Sequence, residues 1–531
     1  MQKLAISTLF ERVMLVLTGL ILLMIVINVT LYPHFLHPDV SMYTEMGQKL
    51  LDGQRPYVDY EEINFPMIHA LNVLPASLSR LTGFAPTVTV QICLVALLLL
   101  SLGMTGRLLT AYSESRSVAF TVIFGMTALS WVLFIVLQWG EREHIFVLLY
   151  LPWMVTRLMR REDKPIGRGT ALTVGLMAGI GVALKPYFVL TAILVEGVGL
   201  LTTRRWCVRT PEVIGVLAVA GLHGAYFALN PDALQGFILL IQRLSAGYGA
   251  YSATPWSEQI PFLLINLSLG VTPFILFTLR YRYRVLQQPL LLALGAMALG
   301  SLFSFLLQQK GWNYHALPMI LTNSLIVLLL GIEAFLGYVR PPEIHRQTAV
   351  KSRMMTAAFG LIIGIIAFEL VGIRALMRVV EGYQLFTLNP YVETYTQPGD
   401  RVMFVNTDLN PAYPMLAALN RRSASRYATV QAFPIAYYRY QGLPYSAPNH
   451  VVPAYMQEYL DAFAEDMATY NPKLVIFRSD KCGSCSGDFS NMYDYLVARG
   501  TIDAVITPGY TLLTVADGFH LYVRNDLAPK P

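Results

Sequence analysis

Carboxylates are dense in the segment that follows the first long apolar run of the chain. Residues 37–66 read HPDVSMYTEMGQKLLDGQRPYVDYEEINFP, with six acidic and two basic residues. The acidic residues are Asp39, Glu45, Asp52, Asp59, Glu61 and Glu62. Because a carboxylate can accept a proton from a hydroxyl group, this segment is a candidate for general base chemistry.

Four further segments between apolar runs combine charges with aromatic rings. Their candidate residues are Glu141, Arg142, Glu143 and His144; Lys185; Arg243 and Tyr248; and Lys310, Trp312, Tyr314 and His315. Charged side chains at a membrane face are costly and often have a function. Each cluster also has a structural interpretation, such as a salt-bridged turn or a side chain that reaches the lipid headgroups.

Acidic and basic groups on one membrane face suit a reaction in which a carboxylate activates a hydroxyl while cations hold a phosphate leaving group. Sugar transfer from a lipid phosphate is such a reaction, because the lipid tail stays in the bilayer and the head lies at the interface. The predicted phosphate contacts are Arg142, Lys185, Arg243 and Lys310.

The elements that position these residues are predicted to be transmembrane helices. The 531 residues are 55% hydrophobic and only 14% charged, with a mean hydropathy of +0.50. Runs of about 20 apolar residues are long enough to cross a bilayer. We predict eleven spans, at residues 13–31, 88–106, 118–137, 144–160, 170–184, 187–202, 211–229, 261–280, 288–307, 315–338 and 354–374. Residues 65–82 contain two prolines and an arginine, so we predict an interfacial or re-entrant helix there.

The distribution of Lys and Arg predicts the orientation. Six alternate connecting segments hold 19 basic residues, whereas the five others hold seven. Because basic loops stay in the cytoplasm, the N-terminus is predicted to be cytoplasmic and the chain beyond residue 375 to be extracytoplasmic. The scattered basic residues do not favour a nucleic-acid partner.

The last part of the chain has a different pattern. Residues 376–531 alternate short apolar runs with helical segments, which predicts an α/β domain. Strands are expected at 401–407 and 473–479 and in TLLTVA and LYVRN, with helices near 454–468 and 491–499. The fold class is thus a mainly α polytopic membrane protein, with a membrane domain at 1–375, an outer loop at 32–87 and a C-terminal extracytoplasmic α/β domain.

The first outer loop resembles that of the GT-C superfamily of glycosyltransferases that use polyprenyl-phosphate sugars, which includes protein O-mannosyltransferases and lipid A aminoarabinose transferases. The matching pattern is an acidic residue soon after the first helix, an aromatic residue, Gly-x-x-Pro-Tyr-x-Asp and a later proline. It falls on Asp39, Tyr43, Gly53, Pro56, Tyr57, Asp59 and Pro66. The layout of nearly the whole chain is also similar.

This resemblance implies that Asp39 is the catalytic base for the acceptor hydroxyl. The alternative is an N-cap on a helix that begins near Ser41, since Asp is a preferred cap. Glu141 or Glu143 would supply the second acidic group of the family, and the sequence does not choose between them. Acceptor or sugar contacts are expected from Tyr43, Tyr57, Asp59, His144, Tyr248, Trp312, Tyr314 and His315.

The cysteine spacing and the lack of a phosphate-binding motif limit the kinds of site that the chain can contain. Cys482 and Cys485 are close in sequence within the predicted outer domain, so we expect a small structural disulfide. The scheme requires no cofactor and no metal ion, although a divalent metal stays possible by analogy with some relatives. The sequence has no Gly-rich phosphate loop. The absence of glycosylation sequons from the outer domain favours a bacterial inner membrane.

The predicted function is inverting transfer of a sugar from a polyprenyl phosphate, such as undecaprenyl phosphate, to an extracytoplasmic glycan, lipid or protein. Membrane lipids are the other expected partners. One alternative is a flippase for a lipid-linked sugar, which would need charged residues along its path, whereas the acidic residues within spans are few. The other alternative is a non-catalytic subunit in cell-envelope assembly.

Overall fold

The computed structural model describes residues 2–113, 116–205, 207–252, 256–261, 288–339, 385–434, 454–479 and 492–529, with scattered positions at 263–275 and 360–377. The chain forms two compact units. The first unit contains Met1–Tyr32, Cys93–Gly224 and Thr254–Leu376, and the second contains Pro33–Ile92, Ala225–Ala253 and Met377–Pro531.

The first unit is helical. Its helices are α1 (Gln2–Leu31), most of α5 (Pro86–Tyr112), α6 (Arg116–Ile135), α7 (Arg142–Arg161), α8 (Arg168–Ala183), α9 (Phe188–Thr203), most of α10 (Pro211–Leu229), α12 (Pro289–Gln308) and α13 (Leu317–Val339), with a 3-10 turn at Asn313–Ala316. Helix α9 packs on α12, α7 on α8, and α1 on α6.

Six helical segments of the described chain are long and apolar enough to cross a membrane. They are Leu9–Leu31, Pro86–Tyr112, Arg116–Ile135, Pro211–Leu229, Pro289–Gln308 and Asn313–Glu333. Helices α7, α8 and α9 coincide with three more of the predicted spans. The two remaining spans, 261–280 and 354–374, lie largely outside the described residues. A polytopic α-helical membrane protein is confirmed.

The two ends of α7 gather different connecting segments. At one end, the Tyr112 hydroxyl donates to Glu162 over 2.7 Å, and Arg205 pairs with Asp163. At the other end, Lys185 pairs with Glu143 and donates to Gln308. Segments assigned to the same membrane side by their charge therefore meet at the same end of the helix. Which end faces the cytoplasm stays a prediction.

The second unit contains the predicted outer loop. It forms α2 (Pro38–Leu51), α3 (Pro66–Leu71) and α4 (Val73–Thr82). The last two replace the single helix expected at 65–82, and each is too short to span a bilayer. Gly47 of α2 lies against their junction, where a Cβ atom would come within 2.3 Å of the Asn72 carbonyl oxygen. Only glycine permits this close approach.

Residues 230–260, which connect the predicted spans 211–229 and 261–280 and for which no helix was expected, are largely helical at the described positions. Helix α11 spans Pro231–Ser252. The sequence RLSAGYGAYS at its end is rich in glycine and serine, which favour turns, but packing of the apolar face overrides this local preference. Ala233, Phe237 and Leu240 on that face form a small core with Tyr57.

The C-terminal segment is an α/β domain, as predicted. Helices α14 (Leu385–Tyr395), α15 (Ala412–Ala418), α16 (Ala454–Tyr470) and α17 (Met492–Ala498) accompany strands β1 (Arg401–Val405), β2 (Arg422–Ser423), β3 (Leu474–Arg478), β4 (Tyr510–Ala516) and β5 (Phe519–Arg524). The strand order is β2-β1-β3-β5-β4, with β1 parallel to β2 and β3, and β5 antiparallel to β3 and β4. The core includes Met403, Val475, Phe477 and Tyr495.

The compact units divide the chain differently from the predicted domains. Residues 33–92 and 225–253 group with the C-terminal segment, whereas the predicted membrane domain ends at residue 375 and includes the loop 32–87. The membrane and extracytoplasmic locations of these parts stay predictions.

Candidate functional site

The start of α7 is a tight turn that buries two carboxylates. Gly140 has a φ of +84°, a conformation that glycine adopts without strain, and Glu141 occupies the N-cap position. Glu141 and Glu143 are both fully buried. The segment is therefore not a solvated loop, and its acidic groups are held within the protein.

His144 stabilises this turn. The Gly140 amide N–H donates to His144 Nδ1 over 3.3 Å, so Nδ1 is an acceptor. The other ring nitrogen, Nε2, then carries the proton and donates to Ser130 Oγ over 3.2 Å. Both ring nitrogens of this buried side chain are occupied within the protein. The geometry gives His144 a positioning role, and its predicted sugar contact has no further support.

Lys185 joins three elements at this end of the helices. It lies between α8 and α9, and its Nζ donates to Glu143 Oε1 of α7 over 2.5 Å and to Gln308 Oε1 of α12 over 2.8 Å. The Tyr314 ring centroid lies 5.7 Å from Nζ. The structural interpretation from the sequence was a salt bridge that closes a single turn. The ion pair of Lys185 with Glu143 instead links two different segments.

The segment after α12 adds cations and rings. Gln309 and Gly311 have positive φ values of 51° and 65°, which end the helix. The Tyr314 and His315 ring centroids lie 4.4 Å apart, edge to face, and the Trp312 ring lies 5.3 Å from His315. Arg142, Lys185 and Lys310 are all close enough to act electrostatically on His315. We call this group the lysine cluster: Glu141, Arg142, Glu143, Lys185, Gln308, Lys310, Tyr314 and His315.

Burial dominates the electrostatics of the lysine cluster. It lowers the pKa of Lys185 to about 8, with Arg142 acting in the same direction and Glu143 opposing it. Burial also lowers the pKa of Lys310 to about 8. Cations held in a low-dielectric site are favourable partners for an anion that enters it. Among the described residues, Glu143 Oε2 and His315 Nδ1 make no hydrogen bond. The cluster can therefore bind an anion and accept hydrogen bonds from a polar ligand.

Asp39 lies at the start of α2 in the second unit. The helix begins at Pro38, and His37 is the N-cap, accepting from the Asp39 amide over 3.3 Å. The cap interpretation of Asp39 is therefore wrong. Pro38 is preorganised for the first helical position, so the helix begins three residues before Ser41 and Asp39 lies inside its first turn. Asp39 is half-buried in the first turn, where the helix dipole favours a negative charge.

The helix that carries Asp39 is fixed to the C-terminal domain. Arg422 binds Glu45 over 3.0 Å and Asp52 over 2.8 Å. Lys49 is buried and donates to the Ser425 carbonyl oxygen over 2.6 Å. Burial lowers the pKa of Lys49 to about 8. These contacts hold α2 in place and thereby orient Asp39.

The remaining residues of the resemblance have structural partners. Tyr43 is buried in α2. Tyr57 has a φ of +68°, packs 4.9 Å from the Phe237 ring and donates its hydroxyl to the Asn64 carbonyl oxygen. Asp59 accepts from the Arg55 amide over 2.6 Å. The pattern Gly-x-x-Pro-Tyr-x-Asp therefore shapes a turn, while its predicted acceptor contacts stay predictions.

Arg243 of α11 binds carboxylates within the second unit. Its guanidinium donates to both oxygens of Glu458, over 2.9 and 2.6 Å, and stacks 4.7 Å from the Tyr455 ring. These bonds compete with the predicted phosphate contact. The Tyr248 side chain and both Cys482 and Cys485 lie outside the described residues, so the predicted disulfide stays a prediction.

One functional candidate and one cluster were not predicted from the sequence. The candidate is Gln308, for which the pair QQ before Lys310 is a signal, since it is an unusual end for an apolar helix. Glu196 is paired in space: it accepts from Arg157 over 2.7 Å and from Arg161 over 2.8 Å. Glu212 accepts from Arg157 and Arg160 over 3.0 and 3.1 Å. We call this group the arginine cluster: Arg157, Arg160, Arg161, Glu196 and Glu212.

Comparisons with known proteins give one line of structural evidence. No family model matches the sequence, and no curated protein matches it. Among solved structures, the chain is similar to the crystal structure of ArnT from Cupriavidus metallidurans in the apo state. The TM-score is 0.55 at 13% identity, over 95% of this chain and 98% of that one. The expected fold class, a polytopic α-helical protein with a C-terminal α/β domain, is thus shared with a solved structure.

Proposed function

We propose that this protein is an inverting glycosyltransferase that moves a sugar from a polyprenyl phosphate to an extracytoplasmic acceptor. The observation that carries the proposal is the lysine cluster, where Arg142, Lys185 and Lys310 lie close enough to act electrostatically on His315, at one end of a bundle of membrane-spanning length. The GT-C-like fold supports the same class of reaction.

The cations of the lysine cluster would bind the phosphate of the donor. When the bond between the anomeric carbon and the phosphate oxygen breaks, the phosphate leaves with an additional negative charge. Fixed cations stabilise such a charge in the transition state without needing to reorganise. The leaving phosphate needs this charge and no proton, so Arg142, Lys185 and Lys310 suffice for the departure.

Asp39 would act as the general base. Its carboxylate takes the proton of the acceptor hydroxyl, whose oxygen attacks the anomeric carbon from the face opposite the phosphate. One substitution of this kind inverts the configuration at that carbon. Of the two acidic candidates in the second outer segment, Glu143 orients Lys185, and Glu141 is left as the candidate that orients the acceptor.

The aromatic rings beside the cations would contact the sugar. Trp312, Tyr314 and His315 form a continuous group of rings next to Lys185. The donor is a polyprenyl phosphate of the undecaprenyl type, and the acceptor is a glycan, lipid or protein of the cell envelope. We place the protein in a bacterial inner membrane, with the N-terminus in the cytoplasm and the C-terminal domain in the periplasm.

A lipid-linked sugar flippase is the second candidate. The arginine cluster places charge at the end of α7, α9 and α10, as a transport path would. Its carboxylates, however, accept several hydrogen bonds from arginines, which leaves little capacity for a moving substrate. A non-catalytic assembly subunit would have no use for buried cations next to Glu143. Sugar transfer therefore fits the described residues best.

The test is transfer of radiolabelled sugar from synthetic polyprenyl-phosphate donors by the purified protein, with a membrane extract as acceptor. Asp39→Asn removes the base while keeping its shape, so transfer should be lost from a protein that still folds. Asp232→Asn is the matched control, because Asp232 is an exposed acidic residue in the first turn of α11. Tight donor binding without transfer by the wild-type protein would favour the flippase or the assembly subunit.

A further inference from the structure

Gln308 is held at both ends of its carboxamide. Its Oε1 accepts from Lys185 Nζ over 2.8 Å, and its Nε2 donates to the Ser304 carbonyl oxygen over 2.9 Å, one turn back in α12. The two bonds together fix which end of the amide faces the lysine. Gln308 is the last residue of α12, so the rigid helix sets the position of the acceptor.

The Lys185 ammonium has three N–H groups, and two of them are occupied. One is donated to Glu143 Oε1 and one to Gln308 Oε1. Among the described residues, the third N–H has no acceptor. A lysine held at two points directs its third N–H in one direction, whereas lysine is otherwise a flexible point charge.

We propose that Gln308 is a positioning residue that, together with Glu143, fixes the Lys185 ammonium so that its third N–H is available to the donor phosphate. This inference rests on the proposed function, since it assigns the third N–H to the phosphate. Gln308 is not among the residues of the glycosyltransferase resemblance. Its bond to Lys185 explains how a flexible lysine side chain is held in one orientation.

Gln308 is uncharged, and this property matters for phosphate binding as much as its hydrogen bond to Lys185 does. The charged and titratable groups around Lys185 come from two elements: Glu141, Arg142 and Glu143 at the start of α7, and Lys310, Tyr314 and His315 after α12. Glu143 already offsets the lysine charge. A second carboxylate at position 308 would hold the ammonium equally well but would repel the phosphate. Glutamine binds the lysine and leaves the charge of the cluster unchanged.

Two substitutions of Gln308 distinguish its effect on the orientation of Lys185 from the effect of charge at position 308. Gln308→Glu keeps an acceptor and adds a negative charge, so affinity for phosphate at neutral pH should fall about 10- to 100-fold. The added carboxylate should also raise the pKa of Lys185. Gln308→Ala removes the acceptor, so affinity should fall about 5- to 10-fold and the pKa of Lys185 should fall further. The two variants therefore shift the alkaline limit of binding in opposite directions.

The experiment uses the full chain in lipid nanodiscs with undecaprenyl phosphate, which carries no sugar, as the probe. Binding is measured across a pH series, and the pKa of Lys185 is measured separately by pH-dependent acetylation mapped by mass spectrometry. Gln309→Glu is the matched control, because it makes the same change one residue away on an exposed side chain. A thermal melt shows that each variant is folded.

The expected result is opposite pKa shifts of Lys185 in the two Gln308 variants, weaker binding in both, and values near wild type for Gln309→Glu. Unchanged Lys185 titration and unchanged binding in both variants would overturn the positioning role while leaving the proposed function intact. A wild-type protein that binds no undecaprenyl phosphate, although its Lys185 responds to Gln308, would overturn the phosphate assignment and the proposed function together.

Discussion

The two ends of α7 carry similar charges in different arrangements. The arginine cluster has three cations and two carboxylates, and the lysine cluster also has three cations and two carboxylates. They lie near the two ends of a helix of 20 residues, about 25 Å apart. The number of charges therefore does not distinguish the two clusters. They differ in how completely their carboxylates are hydrogen-bonded.

In the arginine cluster, the planar guanidinium groups match the carboxylates. Arg157 donates to both oxygens of Glu196 over 2.7 and 3.0 Å, and Arg160 donates to both oxygens of Glu212 over 3.1 Å each. Gly199 provides the space for Arg161, since a Cβ atom there would lie 1.5 Å from its Nη1. Bidentate pairs of this kind join α7, α9 and α10, and they function as structure.

In the lysine cluster, hydrogen-bonding capacity is left over. Lys185 uses two of its three N–H groups, and Glu143 Oε2 and His315 Nδ1 make no hydrogen bond among the described residues. Buried polar groups are nearly always satisfied in folded proteins, and in the proposed function the donor would complete the hydrogen bonds of these atoms. The two clusters therefore differ at their carboxylates: all four carboxylate oxygens of the arginine cluster accept hydrogen bonds, whereas Glu143 Oε2 of the lysine cluster accepts none among the described residues.

The largest expected effect on stability comes from breaking the arginine cluster. Arg157→Met leaves Glu196 and Glu212 without their shared partner, and Glu212 is fully buried. Removing one member of a buried ion pair costs about 3–5 kcal/mol in the free energy of unfolding. Denaturant titration in detergent measures this loss. A change below about 1 kcal/mol would contradict the structural role of the cluster.

The largest expected effect on activity comes from the lysine cluster. Lys185→Gln removes a charge next to the leaving phosphate, and sugar transfer should fall about 100- to 1,000-fold, as for other groups that stabilise transition-state charge. Initial rates of transfer measure the loss, and a thermal melt shows whether the fold is intact. Wild-type rates in a folded Lys185→Gln protein would remove this lysine from the reaction.

The pH dependence of donor binding follows from the protonation of Lys185. The burial that lowers its pKa to about 8 makes the neutral amine accessible in mildly alkaline solution. Affinity for the donor phosphate should be constant below about pH 8 and fall as pH rises above it, because only the ammonium attracts the phosphate. Competition binding across this pH range measures the effect. Affinity that rises through about pH 8 would contradict it.

The lowered pKa of Lys185 affects stability in the opposite direction from donor binding: the free energy of unfolding rises with pH where donor affinity falls. Between about pH 8 and 10.5 the unfolded chain holds a proton on Lys185 that the folded chain has lost. Lys185 therefore makes the free energy of unfolding increase with pH in that range and contributes no slope below it. Unfolding of the wild type beside Lys185→Met isolates this contribution. An equal slope in both proteins would show that the lysine is not buried.

The smallest effect is expected for Arg160→Lys in the arginine cluster. Arg160 is one quarter exposed, and lysine keeps the charge but loses the two-pronged geometry on Glu212. The free energy of unfolding should fall by about 0.5–1 kcal/mol, with no change in sugar transfer. Denaturant titration and transfer rates are compared on the same preparation. A loss of transfer in this variant would assign function to the arginine end.

Hydropathy and residue periodicity predicted most of the fold. The apolar spans and the strands β1, β3, β4 and β5 follow from local patterns, because burial imposes those patterns on the sequence. Helix α11 was missed since its glycine- and serine-rich end resembles a turn. The cap interpretation of Asp39 was wrong because Pro38 starts the helix earlier.

The candidate site was less accessible to sequence reasoning. Several segments that the sequence assigned to one membrane side meet at the same end of α7, but the contact of Lys185 with Gln308 joins residues 123 positions apart. Arg157 and Glu196 are 39 positions apart. No local pattern encodes such pairs, so the sequence could not show that the carboxylates of the arginine cluster are fully paired whereas Glu143 Oε2 of the lysine cluster is not.

The most direct measurement of the central claim is a cryo-electron microscopy map of the protein in lipid nanodiscs with bound undecaprenyl phosphate. We predict phosphate density within hydrogen-bonding distance of Lys185 Nζ, with the Arg142 and Lys310 side chains facing it. Phosphate density at the arginine cluster, with none at Lys185, would contradict the account of both ends of α7.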